Sequence, residues 1–265
     1  MTDEPHGDPA SEQPTEAGGG SPLDRLELLA MQTVAVDEGL DHLELYTMQG
    51  LLTVLWHGPT EATDVVVCVG GAMGGLLGPD GGLYHRLGRA LSDHGIGVLR
   101  VGYRRPNDLS RCVHDMLAAM ELAARHGASR FVTVGHSFGG AVAVQAAAHL
   151  EARSVPGVVT LATQSAGCEP VELLVDRNLL FVHGTRDQIL PHQASELVRM
   201  LAGHGELLLL DGADHMLRPS GSTVLARLLD HLPAVFATAT DPDGGLGSTG
   251  DDAPPPTPPS ADDGR

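Results

Sequence analysis

The stretch Phe-Val-Thr-Val-Gly-His-Ser-Phe-Gly-Gly, residues 131–140, decides the fold of this 265-residue chain. Its first four residues are apolar or β-branched and predict a short buried strand, and an alanine-rich helical segment follows its last glycine. A Gly-x-Ser-x-Gly pattern between a strand and a helix predicts a sharp turn, with Ser137 at its tip in strained backbone. Gly135 and Gly139 omit side chains that would collide there. Ser137 is therefore the candidate nucleophile.

The Gly-x-Ser-x-Gly pattern is weak evidence by itself, because the chain contains 34 glycines. The alternative is an anion-binding loop at a helix N-terminus that holds an incidental serine. The strand before the turn and the helix after it favour the nucleophile. His136 is the chain neighbour of Ser137, and the turn should point its side chain away from the hydroxyl. We therefore expect His136 to pack and not to act as the base.

On both sides of this turn, short apolar runs alternate with helical segments. The runs are residues 65–69, 96–101, 131–134, 158–161, 179–182 and 207–210, and the helical segments are 83–94, 110–126, 138–150, 194–201 and 224–235. Continuous apolarity is typical of parallel strands that are buried on both faces. The sequence therefore predicts an α/β fold, in which a mostly parallel sheet has helices on both faces and functional residues at the carboxyl ends of its strands.

The N-terminal part of the chain has a different pattern. A short helix is predicted at residues 23–31, followed by strands at 33–37, 43–48 and 51–56, with a hairpin turn at Gln49-Gly50. Residues 1–21 and 238–265 are acidic, rich in proline and glycine and poor in apolar residues, which predicts two disordered tails. A single domain is thus expected over residues 22–237.

A serine nucleophile needs a general base, and the base needs a carboxylate to fix its tautomer. Asp187 follows the fifth apolar run and His215 follows the sixth, so both lie on strand-end loops in the order serine, acid, histidine. Asp214 competes as the acid, but it is the chain neighbour of His215 and badly placed to reach its ring. We predict that Asp187 is the acid and that His215 is the base.

The glycine-rich loop at residues 70–75 follows the first apolar run. Acyl transfer builds negative charge on a carbonyl oxygen, and preorganised backbone N–H groups must meet that charge. We predict the N–H groups of Phe138 and Ala72 as the two donors of this oxyanion hole, with Met73 as the alternative to Ala72. A dinucleotide-binding loop is disfavoured because no G-x-G-x-x-G register fits the segment.

Composition excludes several classes of partner. The formal net charge is −18, and each acidic tail carries −5 of it, which leaves about −8 on the domain. An acidic surface repels nucleic acid and anionic membranes, so we expect neither as a partner. The three cysteines form no CxxC pair, and neither a metal nor another cofactor is expected. The sequence has no signal-peptide pattern and no 18-residue apolar run, which predicts a cytoplasmic protein.

Four segments resemble the α/β-hydrolase superfamily, and the resemblance extends over residues 33–236. They are the glycine-rich loop at 70–75, Gly-His-Ser-Phe-Gly-Gly at 135–140, His-Gly-Thr-Arg-Asp at 183–187 and Gly-Ala-Asp-His at 212–215. The overall shape is similar to the lidless, dienelactone-hydrolase-like and small serine esterase branches. The resemblance implies a fold of about eight strands and a serine acyl-enzyme mechanism.

The chain departs from this family pattern in two places. Many relatives have His-Gly at the start of the oxyanion loop, whereas this chain has Gly70-Gly71, which puts the support of the loop in question. Dienelactone hydrolases proper use a cysteine nucleophile, whereas this turn carries Ser137. Their substrate is therefore not carried over.

Many relatives also insert a helical cap before the strand that bears the acid. Residues 162–178 occupy this place and are too few for a cap domain, so we expect an open site without one. The glycine-rich segment from Met73 to Tyr84 is expected to form one wall of this site. Phe138, Met73, Leu76 and Leu77 are predicted to line its substrate pocket, with ordinary packing as the alternative. Cys168 lies in the short segment and is expected to be passive.

The leading hypothesis is hydrolysis of a small-molecule carboxylic ester or thioester by Ser137, His215 and Asp187. An acyltransferase or a peptidase on the same fold is a second interpretation, because an open site admits either. A third is a non-catalytic, hydrolase-like binding protein whose acidic tails recruit basic partners. The complete set of three groups disfavours the third, since binding would not require it. The sequence predicts no oligomeric state.

Overall fold

The computed structural model of the chain describes residues 20–239. The predicted disordered tails lie almost entirely outside these residues. Within this described part of the chain, nine strands form one sheet, against about eight expected. In chain order they are β1 (Leu28–Asp37), β2 (Leu40–Thr47), β3 (Gly50–His57), β4 (Asp64–Val69), β5 (Gly97–Gly102), β6 (Arg130–His136), β7 (Gly157–Leu161), β8 (Asn178–Gly184) and β9 (Glu206–Leu210).

The strands lie side by side in the order β1-β2-β3-β5-β4-β6-β7-β8-β9. The first three strands and β5 pair antiparallel, while β5, β4 and the strands from β6 to β9 pair parallel. The strands β4, β6 and β7 are buried at nearly every position, because helices cover both faces of the sheet at its centre. This confirms the prediction from the continuous apolar runs.

Between residues 20 and 239, five α-helices cover the sheet. They are α1 (Leu83–Ser92), α2 (Leu109–Arg125), α3 (Phe138–Ala148), α4 (Gln193–Ala202) and α5 (Gly221–Thr238). Buried residues of α2, α3 and α4 share one apolar core, and buried residues of α1 and α5 share the core on the opposite face. The fold is therefore a three-layer α/β architecture, and only 16 residues, 162–177, separate β7 from β8.

The helix predicted at residues 23–31 is wrong. Residues Asp24–Leu26 form a single 3₁₀ turn, and the backbone at Glu27 turns left-handed with φ of 53°. The chain then enters β1, which pairs with β2 along its length. Leucine, alanine and methionine in this segment favour a helix locally, but strand pairing overrides so weak a preference. The predicted hairpin does join β2 to β3, but its turn lies one residue earlier than expected, at Met48-Gln49, and Gly50 is the first residue of β3.

The sheet topology places the predicted loops together. The strands β4 and β6 are neighbours, but the connection after β4 leads through α1 to β5 and the connection after β6 leads through α3 to β7, on opposite sides. Loops diverge at such a switch point and leave a crevice at the carboxyl ends of the strands. The glycine-rich loop follows β4 and the Ser137 turn follows β6, so both open into this crevice. No helix of residues 20–239 is long and apolar enough to cross a membrane.

Candidate active site

The turn after β6 has the strained geometry that its sequence predicts. Ser137 has φ of 58° and ψ of −121°, a conformation that side-chain-bearing residues rarely adopt. A Cβ on Gly135 would lie 1.9 Å from the carbonyl oxygen of Gly139, so the turn needs glycine there. A Cβ on Gly139 would instead lie 2.3 Å from the carbonyl oxygen of Gly70. The second glycine therefore permits α3 to approach the glycine-rich loop and does not relieve a collision inside the turn.

Ser137, His215 and Asp187 form one continuous chain of hydrogen bonds. Ser137 Oγ lies 3.1 Å from His215 Nε2, and His215 Nδ1 lies 2.7 Å from Asp187 Oδ2. Because a carboxylate only accepts, Nδ1 carries the ring proton and Nε2 presents a lone pair to the hydroxyl. The three residues that were predicted from separate loops are thus brought together with the serine proton facing a free acceptor.

The carboxylate of Asp187 is fully buried and surrounded by donors. Its Oδ1 accepts hydrogen bonds from the backbone N–H groups of Ile189 at 2.8 Å and Leu190 at 2.9 Å. Burial acts to raise the pKa of Asp187, but hydrogen bonds from Leu190, His215 and Ile189 outweigh it and hold the pKa below its ordinary value. The carboxylate is therefore charged near neutral pH, as an orienting acid must be.

The acid and the base meet because their loops follow neighbouring strands, β8 and β9. The N–H of Arg186 donates to the carbonyl of Ala213 at 2.9 Å, and a Cβ on Gly184 would lie 2.3 Å from that same oxygen. This contact fixes the loop that carries His215 against the loop that carries Asp187. Asp214 instead faces outward and pairs with Arg218, which removes it from contention as the acid.

His136 packs beneath the base, and it also holds the base by a hydrogen bond that the sequence did not predict. Its Nε2 lies 2.9 Å from the carbonyl oxygen of His215, and the two rings are 5.0 Å apart between centroids. Since a carbonyl oxygen only accepts, the proton sits on Nε2 of His136. Burial lowers the pKa of His136 to about 4, so the ring is neutral near pH 7.

The glycine-rich loop lies against the nucleophile. A Cβ on Gly71 would come within 3.4 Å of the Cβ of Ser137. Phe138 is the first residue of α3, so its N–H has no acceptor within that helix. Within residues 20–239, neither this N–H nor that of Ala72 donates to another backbone carbonyl in a turn, loop or cap. Both donors are thus available, and their role in an oxyanion hole remains a prediction.

Two buried tyrosines support this loop, whose start at Gly70-Gly71 was in question from the sequence. The hydroxyl of Tyr103 donates to the carbonyl of Gly70 at 2.9 Å, and the hydroxyl of Tyr84 donates to the carbonyl of Val69 at 2.8 Å. Tyr103 also packs edge-on against Phe138, with ring centroids 6.2 Å apart. Neither tyrosine lies near a recognisable motif, so sequence reasoning had no signal by which to find them.

A cavity of about 500 Å³ opens at Ser137 and His215. The predicted pocket residues Met73, Leu76 and Leu77 line it, whereas Phe138, as a core residue, packs away from it. The glycine-rich segment from Met73 to Tyr84, which was also expected to form one wall, contributes Gly78. Sequence reasoning missed three further lining residues, Ile189, Met216 and His136. The lining contains no Asp, Glu, Lys or Arg, and Met73 is 93% exposed, so the cavity is apolar and open.

Two other features lie outside the site. A larger cavity, of about 610 Å³, lies at the opposite edge of the sheet around His57, Pro59 and Asp93, and it contains none of the predicted site residues. Cys168 is buried, its thiol donates to the carbonyl of Gln164 at 3.2 Å, and burial raises its pKa to about 12. A thiol that stays protonated in this way is unreactive, in line with the passive role expected for it.

Solved structures show which fold this is, although no family model and no curated protein matches the chain. Est1E from Butyrivibrio proteoclasticus is similar with a TM-score of 0.64 and 15% identity, covering 74% of this chain and 99% of that one. A dienelactone hydrolase from Anabaena variabilis has a TM-score of 0.60 and 16% identity, covering 76% and 96%. XC6422 from Xanthomonas campestris, described as an α/β serine hydrolase without a lid, has a TM-score of 0.59 and 20% identity, covering 78% and 100%.

These identities are low, whereas the structural overlap covers nearly the whole of each neighbour. The short connection before β8 leaves no room for a large cap domain at that place. The chain therefore has the α/β-hydrolase fold, as the resemblance of its motifs implied.

Proposed function

We propose that the chain is a serine hydrolase that cleaves carboxylic esters or thioesters through an acyl-enzyme intermediate. One observation carries the proposal, namely the hydrogen-bond chain from Ser137 Oγ through His215 to the buried carboxylate of Asp187. A hydroxyl in strained backbone, facing the lone pair of an imidazole whose other nitrogen is held by a carboxylate, is the arrangement that activates serine.

The proposed reaction has two halves. Ser137 Oγ attacks the carbonyl carbon as its proton passes to His215 Nε2, and the N–H groups of Ala72 and Phe138 stabilise the oxyanion. Collapse of the resulting tetrahedral intermediate breaks the bond to the alcohol or thiol, which leaves with the proton from His215. A water molecule then attacks the acyl-enzyme with its proton going to His215, and the acid is released as Ser137 regains that proton.

The cavity supports an uncharged, apolar substrate. Its lining has no charged side chain to pair with a carboxylate or a phosphate, and desolvating such a group without a partner is costly. Leu77 and Ile189 at its mouth are 58% and 70% exposed, so an acyl chain would cover them on binding. We therefore propose neutral esters or thioesters with an apolar acyl group as the substrate class.

A serine-directed phosphonate tests the nucleophile. We expect it to label Ser137 at one-to-one stoichiometry, and Ser137→Ala to lower the turnover of p-nitrophenyl esters by about 10⁴-fold or more. Ser129→Ala is a matched control, because Ser129 is exposed just before the start of the same strand, at the opposite edge of the sheet. Labelling at another residue, or turnover that survives in Ser137→Ala, would contradict the proposal.

A substrate panel then separates the alternatives. Esters of increasing acyl length should show a falling KM until the cavity is filled, whereas peptide amides should be poor substrates. Adding a primary alcohol should leave the free acid as the main product. A predominant new ester would assign acyl transfer, and faster cleavage of amides would assign a peptidase.

A further inference from the structure

The carboxylate of Asp187 contacts a second imidazole, which the proposed reaction does not use. His183, at the end of β8, has its Nε2 3.1 Å from Asp187 Oδ2, the same oxygen that faces His215. Its Nδ1 lies 2.7 Å from the hydroxyl of Ser195 in α4. Asp187 is thus shared by two serine–histidine pairs, one open to the cavity and one inside the protein.

Geometry fixes the tautomer of the inner histidine. Nε2 of His183 also lies 3.1 Å from the carbonyl oxygen of Leu190, and both of its neighbours are pure acceptors, so Nε2 carries the proton. Nδ1 then holds a lone pair and accepts the hydroxyl proton of Ser195. The side chains of His183 and Asp187 are wholly buried, and so is Ser195, so no substrate reaches this second pair.

We propose that His183 is a positioning residue, which holds Asp187 Oδ2 in the direction of His215, and that Ser195 fixes the tautomer in which His183 does so. With this bond the carboxylate has four donors, two on each oxygen, and cannot rotate away from the base. The kinetic part of this inference rests on the proposed hydrolysis, whereas the tautomer of His183 does not.

The ring of His183 stays neutral for the same structural reasons. Its pKa is lowered by burial, despite the hydrogen bond to Leu190 and the charge of Asp187, which act to raise it. The titratable groups that face it are Asp187, His215 and His136. A neutral donor orients the carboxylate without neutralising it, which leaves the charge available to the base.

A pair of substitutions tests the positioning role. His183→Leu removes the donor, whereas His183→Gln places an amide N–H near the position of Nε2. We expect kcat for a p-nitrophenyl ester to fall by about 10- to 100-fold in His183→Leu with KM changed by less than about threefold, because a small misplacement of the relay has this cost. The Gln variant should recover most of the loss.

The control is His57→Leu, which removes another buried imidazole that lies at the other edge of the sheet and should leave kcat unchanged. Full kcat in a folded His183→Leu protein, or a Gln variant as slow as the Leu variant, would overturn the proposal. Should the Leu variant fail to fold, Ser195→Ala serves instead, with kcat expected to fall by a few-fold and full kcat overturning the role of Ser195.

Nuclear magnetic resonance of the wild-type chain tests the geometry without any activity. With ¹⁵N-labelled histidine, we expect His183 as the neutral Nε2–H tautomer between about pH 7 and 8, above the ordinary pKa of histidine, and a shift of its N–H signal in Asp187→Asn. An Nδ1–H tautomer or a protonated ring in this range would overturn the inference. A wild-type chain that hydrolyses nothing but shows the expected tautomer would refute the proposed function and leave this arrangement standing.

Discussion

Ser137–His215 and Ser195–His183 are two serine–histidine pairs on one carboxylate, and their distances are similar. The outer pair measures 3.1 Å between Oγ and Nε2, and the inner pair measures 2.7 Å between Oγ and Nδ1. The difference lies in their surroundings. The outer pair lines a cavity beside unpaired backbone N–H groups, whereas the inner pair is sealed between β8 and α4. A chain of hydrogen bonds from serine through histidine to aspartate therefore does not by itself mark a candidate nucleophile, because the hydroxyl must also be reachable by a substrate and lie near donors for an oxyanion.

Asp187→Asn breaks both pairs at once and should have the largest effect. Both imidazoles face Oδ2 and both backbone N–H groups face Oδ1, so the NH2 of an amide must oppose one of these two sets of donors. Because an imidazole can change its tautomer and a backbone N–H cannot, we expect the NH2 at the Oδ2 position, where His215 flips its tautomer and loses its acceptor for the serine proton. We expect kcat to fall by about 10⁴-fold, which steady-state turnover of a p-nitrophenyl ester will measure. Asp214→Asn is the control, because Asp214 is exposed and pairs with Arg218. A comparable loss in that control would reassign the acid.

The stability of the protein at acid pH should depend on the neutral imidazole of His136, which packs against His215. His136 has its pKa lowered by burial to about 4, so its contribution to stability is complete above the ordinary value of about 6.5 and is lost as pH falls toward 4. We expect the free energy of unfolding to fall by about 1–3 kcal/mol over this range on account of His136. Urea denaturation at a series of pH values will measure it, and His136→Gln should flatten the dependence while keeping a donor for His215.

Tyr103→Phe should have the smallest effect of these changes. It alters only the glycine-rich loop, which lies beside the outer pair and has no counterpart beside the inner pair. The variant removes the hydrogen bond to the carbonyl of Gly70 and loosens the predicted oxyanion donor at Ala72. We expect kcat to fall by about tenfold and stability by about 1 kcal/mol. Tyr46→Phe is the matched control, since Tyr46 is exposed on β2. Equal kcat in both variants would show that Tyr103 does not support catalysis.

The parts of the fold that the sequence predicted well are those with strong local patterns. Continuous apolar runs gave every strand from β4 to β9, and the glycine spacing gave the turn at Ser137. The predicted helix at residues 23–31 was wrong, because residues 28–31 favour a helix locally but belong to the strand β1. Local preference is weak, and a strand with a long pairing partner overrides it.

The candidate site likewise contains residues that local sequence patterns predicted and residues that they did not. Ser137, Asp187 and His215 were predictable because each follows an apolar run on a loop at a strand end. His136 was correctly expected to pack, but its hydrogen bond to His215 depends on a loop 79 residues away. Ile189 and Met216 were missed because a pocket wall has no sequence spacing of its own.

The sequence by itself determined the succession of strands and helices from β4 onward and the three residues proposed to do the chemistry, because burial pattern and turn geometry are encoded locally. Only the tertiary structure revealed that a second histidine, His183, stands behind the acid. His183 and His215 both follow apolar runs, and both lie close to Asp187. Which of them meets solvent depends on how β8, β9 and α4 pack, and such packing is a property of contacts between distant parts of the chain.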